Sequence, residues 1–241
     1  MLELKNLEKT FGNFTAVNKI NIKIEKGELF GFLGPNGAGK TTTIKMIVGL
    51  LAPTSGNIYL EGVDVWQNPI ESKMKIGYVP DQPFVYDKLS GREYLYFSGG
   101  LFNLSKDFLK NKINEQIEQL KIGNWIDKRT EEYSQGMRQR IVIASAFLHE
   151  PEFIIIDEPM VGLDPQSAFI VKRMLVEKAK TGITIFMSTH SLNVVEEICT
   201  RVSIINKGNM IFNDTIEALH QMKIENKHNL EELFIQLTNE E

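Results

Sequence analysis

"GPNGAGKTT", Gly34–Thr42, is the stretch on which the reading of the chain turns. It fits the pattern G-x-x-x-x-G-K-[ST], with the apolar run "LFGFLG" leading into it. Behind it come Ile44, Met46, Ile47, Val48 and Leu51, mostly at three- and four-residue spacing. A buried strand, a glycine-rich loop and a helix over roughly Lys40 to Leu50 are therefore predicted. In such a loop glycines let successive backbone N–H groups turn inward around phosphate oxygens, and the helix N-terminus adds the positive end of its dipole. Gly34, Pro35, Asn36, Gly37, Ala38, Gly39, Lys40, Thr41 and Thr42 form the expected nucleotide-binding set. Lys40 is suited to reach the β- and γ-phosphates of ATP, and the Thr41 hydroxyl to hold Mg²⁺. The alternative is a glycine-rich turn carrying a solvated lysine.

Working outward, Ile20, Ile22 and Ile24 alternate with polar residues, and "KGE" turns that strand into the one before the loop. "MLELKNLEKTFG" also alternates like a strand, and "NIYLEG" and "KIGYVP" read as further short ones. From about Ser90 to His149 the pattern turns helical: Leu109, Ile113, Ile117 and Leu120 interleave with Phe108, Lys112, Glu115 and Gln119. Beyond this insert "FIIIDEP", "AFIVKRMLVEKAK", "GITIFMSTH" and "NVVEEICT" alternate strand, helix, strand, helix. That order argues for a parallel sheet with helices on its faces. "RVSIINKGNMIF" reads as a hairpin and "NLEELFIQLTN" as an amphipathic tail helix. The expected fold is α/β: a phosphate-loop ATPase core with a mainly parallel sheet, an N-terminal antiparallel β subdomain and a helical insert. Expected boundaries are 2–226 for the ATPase domain, with the helical subdomain over about 84–150, and 227–241 for the tail.

A chain with a phosphate loop needs an acid at a later strand end, and "FIIIDEP" supplies two. Asp157 is the candidate for orienting Mg²⁺ through water, and Glu158 for polarising the attacking water. His190, in "STH", ends another apolar strand, on what should be the same rim of the sheet. Taken alone, a histidine there is more often structural, and its place beside the other motif strands reverses that reading.

Composition narrows the partners. The chain has 241 residues, 42% of them apolar, enough for a core of ordinary size. Its formal net charge of -4 offers no basic surplus for a phosphate backbone, so no nucleic-acid partner is expected. The single cysteine, Cys199, excludes an internal disulfide framework or a multi-cysteine zinc site and fits a reducing compartment. The most apolar segments stop well short of the roughly 20 residues a membrane helix needs, and the N-terminus lacks the basic start and apolar run of an export signal. A cytoplasmic location is expected, and the Asn-x-Ser/Thr matches at Asn13, Asn103 and Asn213 read as chance.

The ordered series of phosphate loop, "YSQGM", "FIIIDEP", "GLDP" and "STH" resembles the nucleotide-binding subunit of ATP-binding cassette (ABC) transporters over nearly the whole chain. In that family, two cassettes sandwich ATP head to tail, the phosphate loop of one facing the signature motif of the other. "YSQGM" resembles the signature L-S-G-G-Q, which implies that Ser134, Gln135 and Gly136 meet the γ-phosphate bound by a second cassette, identical or different. Gln135 stands at the first of the paired glycines, where positive φ would be costly, and Met137 at the usual glutamine. Unaided, Ser134 reads as a helix N-cap. "GYVPDQPFVYD" departs at the family's glutamine loop: that position falls on Asp81, with Gln82 one residue later, and either is a candidate near Mg²⁺. A Pro-bounded surface turn is the other reading there. The resemblance gives Phe11 as the aromatic that stacks on adenine, though an aromatic in an early strand is more often core. It gives Asp164, in "GLDP", as the acid of a loop crossing the dimer, which unaided reads as a helix cap before Pro165.

The function implied is hydrolysis of ATP to energise a separate membrane-spanning permease, with the subunit peripheral on the inner face of the membrane. "YDKLSGREYL" and "YSQGMRQR" look most like bacterial exporters of drugs, lipids or polysaccharides. The alternative is a soluble nucleotide switch in translation or DNA repair. It would have been favoured by a second phosphate loop or sustained heptads, and the chain has neither. A cassette that binds without cleaving would have lost Glu158 or His190, and both are present.

Overall fold

The computed structural model describes residues 1–226. Two sheets share the molecule. Strands β1 (Leu2–Phe11), β2 (Phe14–Ile24), β4 (Ser55–Leu60) and β5 (Val63–Asp64) form an antiparallel sheet in the order β2-β1-β4-β5. Strands β3 (Leu29–Leu33), β6 (Ile76–Val79), β7 (Phe153–Asp157), β8 (Thr184–Thr189), β9 (Arg201–Asn206) and β10 (Asn209–Thr215) form the other, in the order β10-β9-β3-β8-β7-β6. All its pairings are parallel except the β9–β10 hairpin at one edge.

Strand periodicity explains how this second sheet is covered. Side chains on a strand alternate between faces. Phe30, Phe32, Phe153, Ile155 and Phe186 therefore turn to one side, where they pack with Leu2, Leu4, Ile20 and Ile24 of the antiparallel sheet and with Ile44, Met46 and Ile47 of helix α1 (Lys40–Ile47). Phe30 and Phe32 both lie against Phe186, with ring centroids 5.8 and 5.2 Å apart. Leu29, Leu33, Ile154, Ile156, Ile185 and Met187 turn to the opposite side, against Ile141, Val171 and Val195. Each such side chain stabilises the fold by about 1.5–3 kcal/mol, which is why "FIIID" is apolar on both faces.

The insert carries α3 (Gly91–Gly100), α4 (Lys106–Leu120) and α5 (Gln135–Ala146); α6 (Pro165–Lys180) and α7 (Leu192–Ile198) follow β7 and β8, and α8 (Ile216–Asn226) follows β10. Ser90 and Glu93 close a capping box that starts α3. On α4 the buried residues are Leu109, Ile113, Gln116 and Leu120, one stripe of the periodicity read from the sequence. Two details differ from expectation. The phosphate-loop helix stops at Ile47, three residues short, where Val48 and Gly49 close it. A helix without a sequence expectation, α2 (Pro69–Lys75), starts on Pro69; with only Ser72 buried it carries no apolar stripe. The expected tail helix, 227–241, lies outside the described residues.

Candidate active site

The phosphate loop joins the end of β3 to the start of α1. Gly39 sits at the helix N-cap with φ of 109°, and a Cβ there would come within 2.4 Å of the Ala16 carbonyl oxygen, so both conformation and space demand glycine. No side chain caps α1, which leaves its first N–H groups for an anion. Lys40 is 6% exposed; its Nζ donates to the Gly34 and Pro35 carbonyls at 2.7 and 3.1 Å and lies 3.4 Å from Glu158 Oε1. The loop thus curls around its own lysine and holds the ammonium at its mouth.

Both acids stand at the C-terminal end of β7. Strand β8 lies between β3 and β7, so the C-terminal ends of all three open on one rim, the usual place for ligands in sheets of this kind. Asp157 and Ser188 are register partners, and the Ser188 hydroxyl donates to Asp157 Oδ1. Asp157 is fully buried. Burial pushes its carboxyl up, against hydrogen bonds from Ser188 and Thr41. Its Oδ2 has no hydrogen-bond partner, an arrangement that suits a cation. Among the described residues there is no cluster of three or more acidic, His or Cys side chains able to cage a metal. The unpartnered Oδ2 of Asp157 and the Thr41 hydroxyl fit Mg²⁺, which is commonly held by one carboxylate together with the substrate's phosphate oxygens.

Glu158 leaves the strand with φ of 51°, a left-handed conformation that costs a non-glycine residue about 1–2 kcal/mol. Its N–H donates to Ser188, to the hydroxyl at 3.1 Å and the carbonyl at 3.3 Å, and this holds the bend. The carboxylate then stands between Lys40 and His190, whose Nδ1 is 3.0 Å from Oε2. An ionised carboxylate only accepts, so Nδ1 of His190 is the donor.

Phe11, Asn36, Gly37, Gly39, Lys40, Thr41, Thr42, Asp81 and Glu158 line a single cavity of about 420 Å³. Phe11 is exposed to it rather than part of the core. Asp81 is on the wall and Gln82 is not. Gly34, Pro35 and Ala38 shape the loop through their backbones: the Ala38 N–H donates to the Pro35 carbonyl.

Ser134, Gln135, Gly136 and Asp164 do not reach this cavity. Ser134 caps α5, accepting from the Met137 N–H at 3.3 Å. Gln135 is the first residue of that helix and is not left-handed, so no positive φ penalises a non-glycine there. Its side chain instead lies over Gly162, where a Cβ would meet Gln135 Cδ at 2.5 Å. Asp164 caps α6 before Pro165; its oxygens accept from the N–H and hydroxyl of Ser167 at 3.0 and 2.6 Å, and these bonds hold its carboxyl below the ordinary range.

Ser188, Phe14 and Ala16 escaped the sequence reading. Ser188 lay inside the quoted "STH", but its pairing with Asp157 depends on a register that no local pattern announces. Phe14, two positions beyond the turn glycine, lines the cavity with Phe11.

A family model described as "ABC transporter" matches residues 17–161. The linearmycin resistance ATP-binding protein LnrL of Bacillus subtilis is 39% identical over 211 residues, 88% of this chain and 68% of that one. The bacitracin transport ATP-binding protein BcrA of Bacillus licheniformis is 38% identical over 212 residues, again 88% and 68%. A solved structure titled as the ATP-binding subunit of an ABC transporter superposes with a TM-score of 0.90 at 29% identity, covering 98% of this chain and 99% of its own.

Proposed function

This chain belongs to the ABC transporter family as an ATP-binding subunit, and from that premise we propose that it hydrolyses ATP to drive a separate membrane-spanning permease, exporting the substrate and working as one of two cassettes. The observation that carries the reading is the convergence of Lys40, Asp157, Glu158 and His190 on one rim of the parallel sheet.

Lys40, the loop N–H groups and the start of α1 bind the triphosphate and offset its charge. Glu158, fixed by the Ser188 contacts and by His190, orients the attacking water and accepts its proton. Asp157 and Thr41 would hold Mg²⁺, with Asp81 nearby, and the ion would supply charge neutralisation for the phosphates. Ser134 and Gly136 stand outside the cavity, which suits action on nucleotide held by a second cassette. Asp164, in the loop packed under Gln135, is suited to the same interface.

A permease partner is supported by an apolar surface on the insert. Phe84, Tyr86 and Phe97 pack edge to face, with centroids 5.4 and 5.2 Å apart, around a hollow of about 550 Å³. Phe84 is 69% exposed and lies three residues after Asp81, so one short loop links the nucleotide cavity to this surface. Export is supported by the names of LnrL and BcrA, which speak of resistance to linearmycin and transport of bacitracin.

The test is phosphate release and ATP binding by the purified chain. Lys40→Ala is expected to lose tight binding, and Glu158→Gln to keep it while turnover falls by about 10²–10⁴-fold. Native turnover in Glu158→Gln would remove Glu158 from its role.

A further inference from the structure

We propose that Phe14 is a second base-contacting residue that forms with Phe11 an aromatic cleft for the nucleobase, an inference resting on the nucleotide reading of the same cavity. Phe11 and Phe14 are direct partners across the β1–β2 hairpin, and directly opposed residues of an antiparallel pair project to the same face. Both residues line the same cavity as Asn36, Gly37, Gly39 and Lys40 of the phosphate loop. Phe14 is 63% exposed and Phe11 49%. One exposed aromatic is ordinary; two, opposed at a hairpin tip and turned to the same cavity, form a surface that something flat can cover.

The rings do not stack on each other. Lys9 Nζ lies over Phe11 at 5.2 Å, and among the described residues Phe14 has no ring or cation partner. A nucleotide with its phosphates on Lys40 and the start of α1 extends its base away from the loop, and the hairpin supplies Phe11, Phe14 and Ala16 to the cavity. None of the three side chains can donate or accept a hydrogen bond. The base is therefore held by stacking and apolar contact, without readout of its edge by these side chains.

Equilibrium titration of the purified chain with ATP, GTP and inorganic triphosphate tests this. Phe14→Ala is expected to weaken ATP and GTP by the same factor, at least about fivefold, and to leave triphosphate unchanged. Phe14→Tyr should restore affinity to within about twofold, whereas Phe14→Leu, apolar but not flat, should not. Because Phe14 is exposed, all three variants are expected to melt as the unaltered chain does. Unchanged ATP affinity in Phe14→Ala overturns the inference, as does a parallel fall in triphosphate affinity, which would place the effect on the phosphate loop. Failure of the unaltered chain to bind ATP would overturn the nucleotide reading as well. Normal binding with an indifferent Phe14 overturns only the cleft.

Discussion

Ser188 stands between the two acids of the site, donating through its hydroxyl to Asp157 and accepting from the Glu158 N–H at 3.1 Å. Ser188→Ala would strip the buried Asp157 of a donor and loosen the bend that aims Glu158. The expected result is a fall in turnover of about ten- to a hundredfold, with ATP affinity kept within about twofold, read from steady-state hydrolysis beside a binding titration. Lost affinity with normal turnover would mean that the serine serves the loop instead. At this scale the sequence was informative wherever chemistry and position coincide. Lys40 follows a glycine loop, and Asp157 and Glu158 end an apolar run. It was silent where position is set by a partner strand: Ser188 acts because parallel register places it opposite Asp157, and Phe14 because the hairpin turns it beside Phe11.

Helix α5 starts where the capping reading of Ser134 puts it, and only the cost expected at Gln135 is mistaken. "YSQGM" opens it with Ser134 as cap, while the Tyr133 hydroxyl, buried, accepts from the Gly91 N–H at 3.2 Å and lies 3.1 Å from the Ile126 carbonyl. The expected penalty at Gln135 does not arise, because the residue joins the helix and rests its side chain on Gly162. At the other end of α5, His149 lies face to face with Phe102, ring centroids 3.8 Å apart, and its Nε2 donates to the Ile76 carbonyl at 3.0 Å. Its Nδ1 is buried without a partner. Burial lowers the imidazole pKa below its ordinary 6.5, against the Ile76 hydrogen bond. The folded state therefore binds the proton less tightly than the unfolded chain. The stability this contributes is complete above the unfolded value of 6.5 and is lost as pH falls from there toward the folded value. Melting temperature is expected to drop between about pH 7.5 and about pH 5.5, with a shallower slope in His149→Gln. Equal slopes would mean that other groups carry the pH dependence.

At the scale of the molecule, the alternation of strands and helices after "FIIID" was enough to indicate a parallel sheet, because strands buried on both faces carry no polar alternation. The strand order was not legible: β3 lies between β8 and β9, far apart in the chain from both, and only tertiary packing decides such crossovers. The same sheet brings the phosphate loop and both acids to one rim, and the Ser134 turn does not line the cavity there. Under the proposed pairing of two cassettes, that turn would act on nucleotide held by a neighbour. The most direct test is light scattering on purified Glu158→Gln with and without ATP and Mg²⁺. The expected result is a monomer that becomes a dimer when ATP binds, the turn at Ser134 closing on the nucleotide of its neighbour. A monomer with ATP demonstrably bound would contradict it.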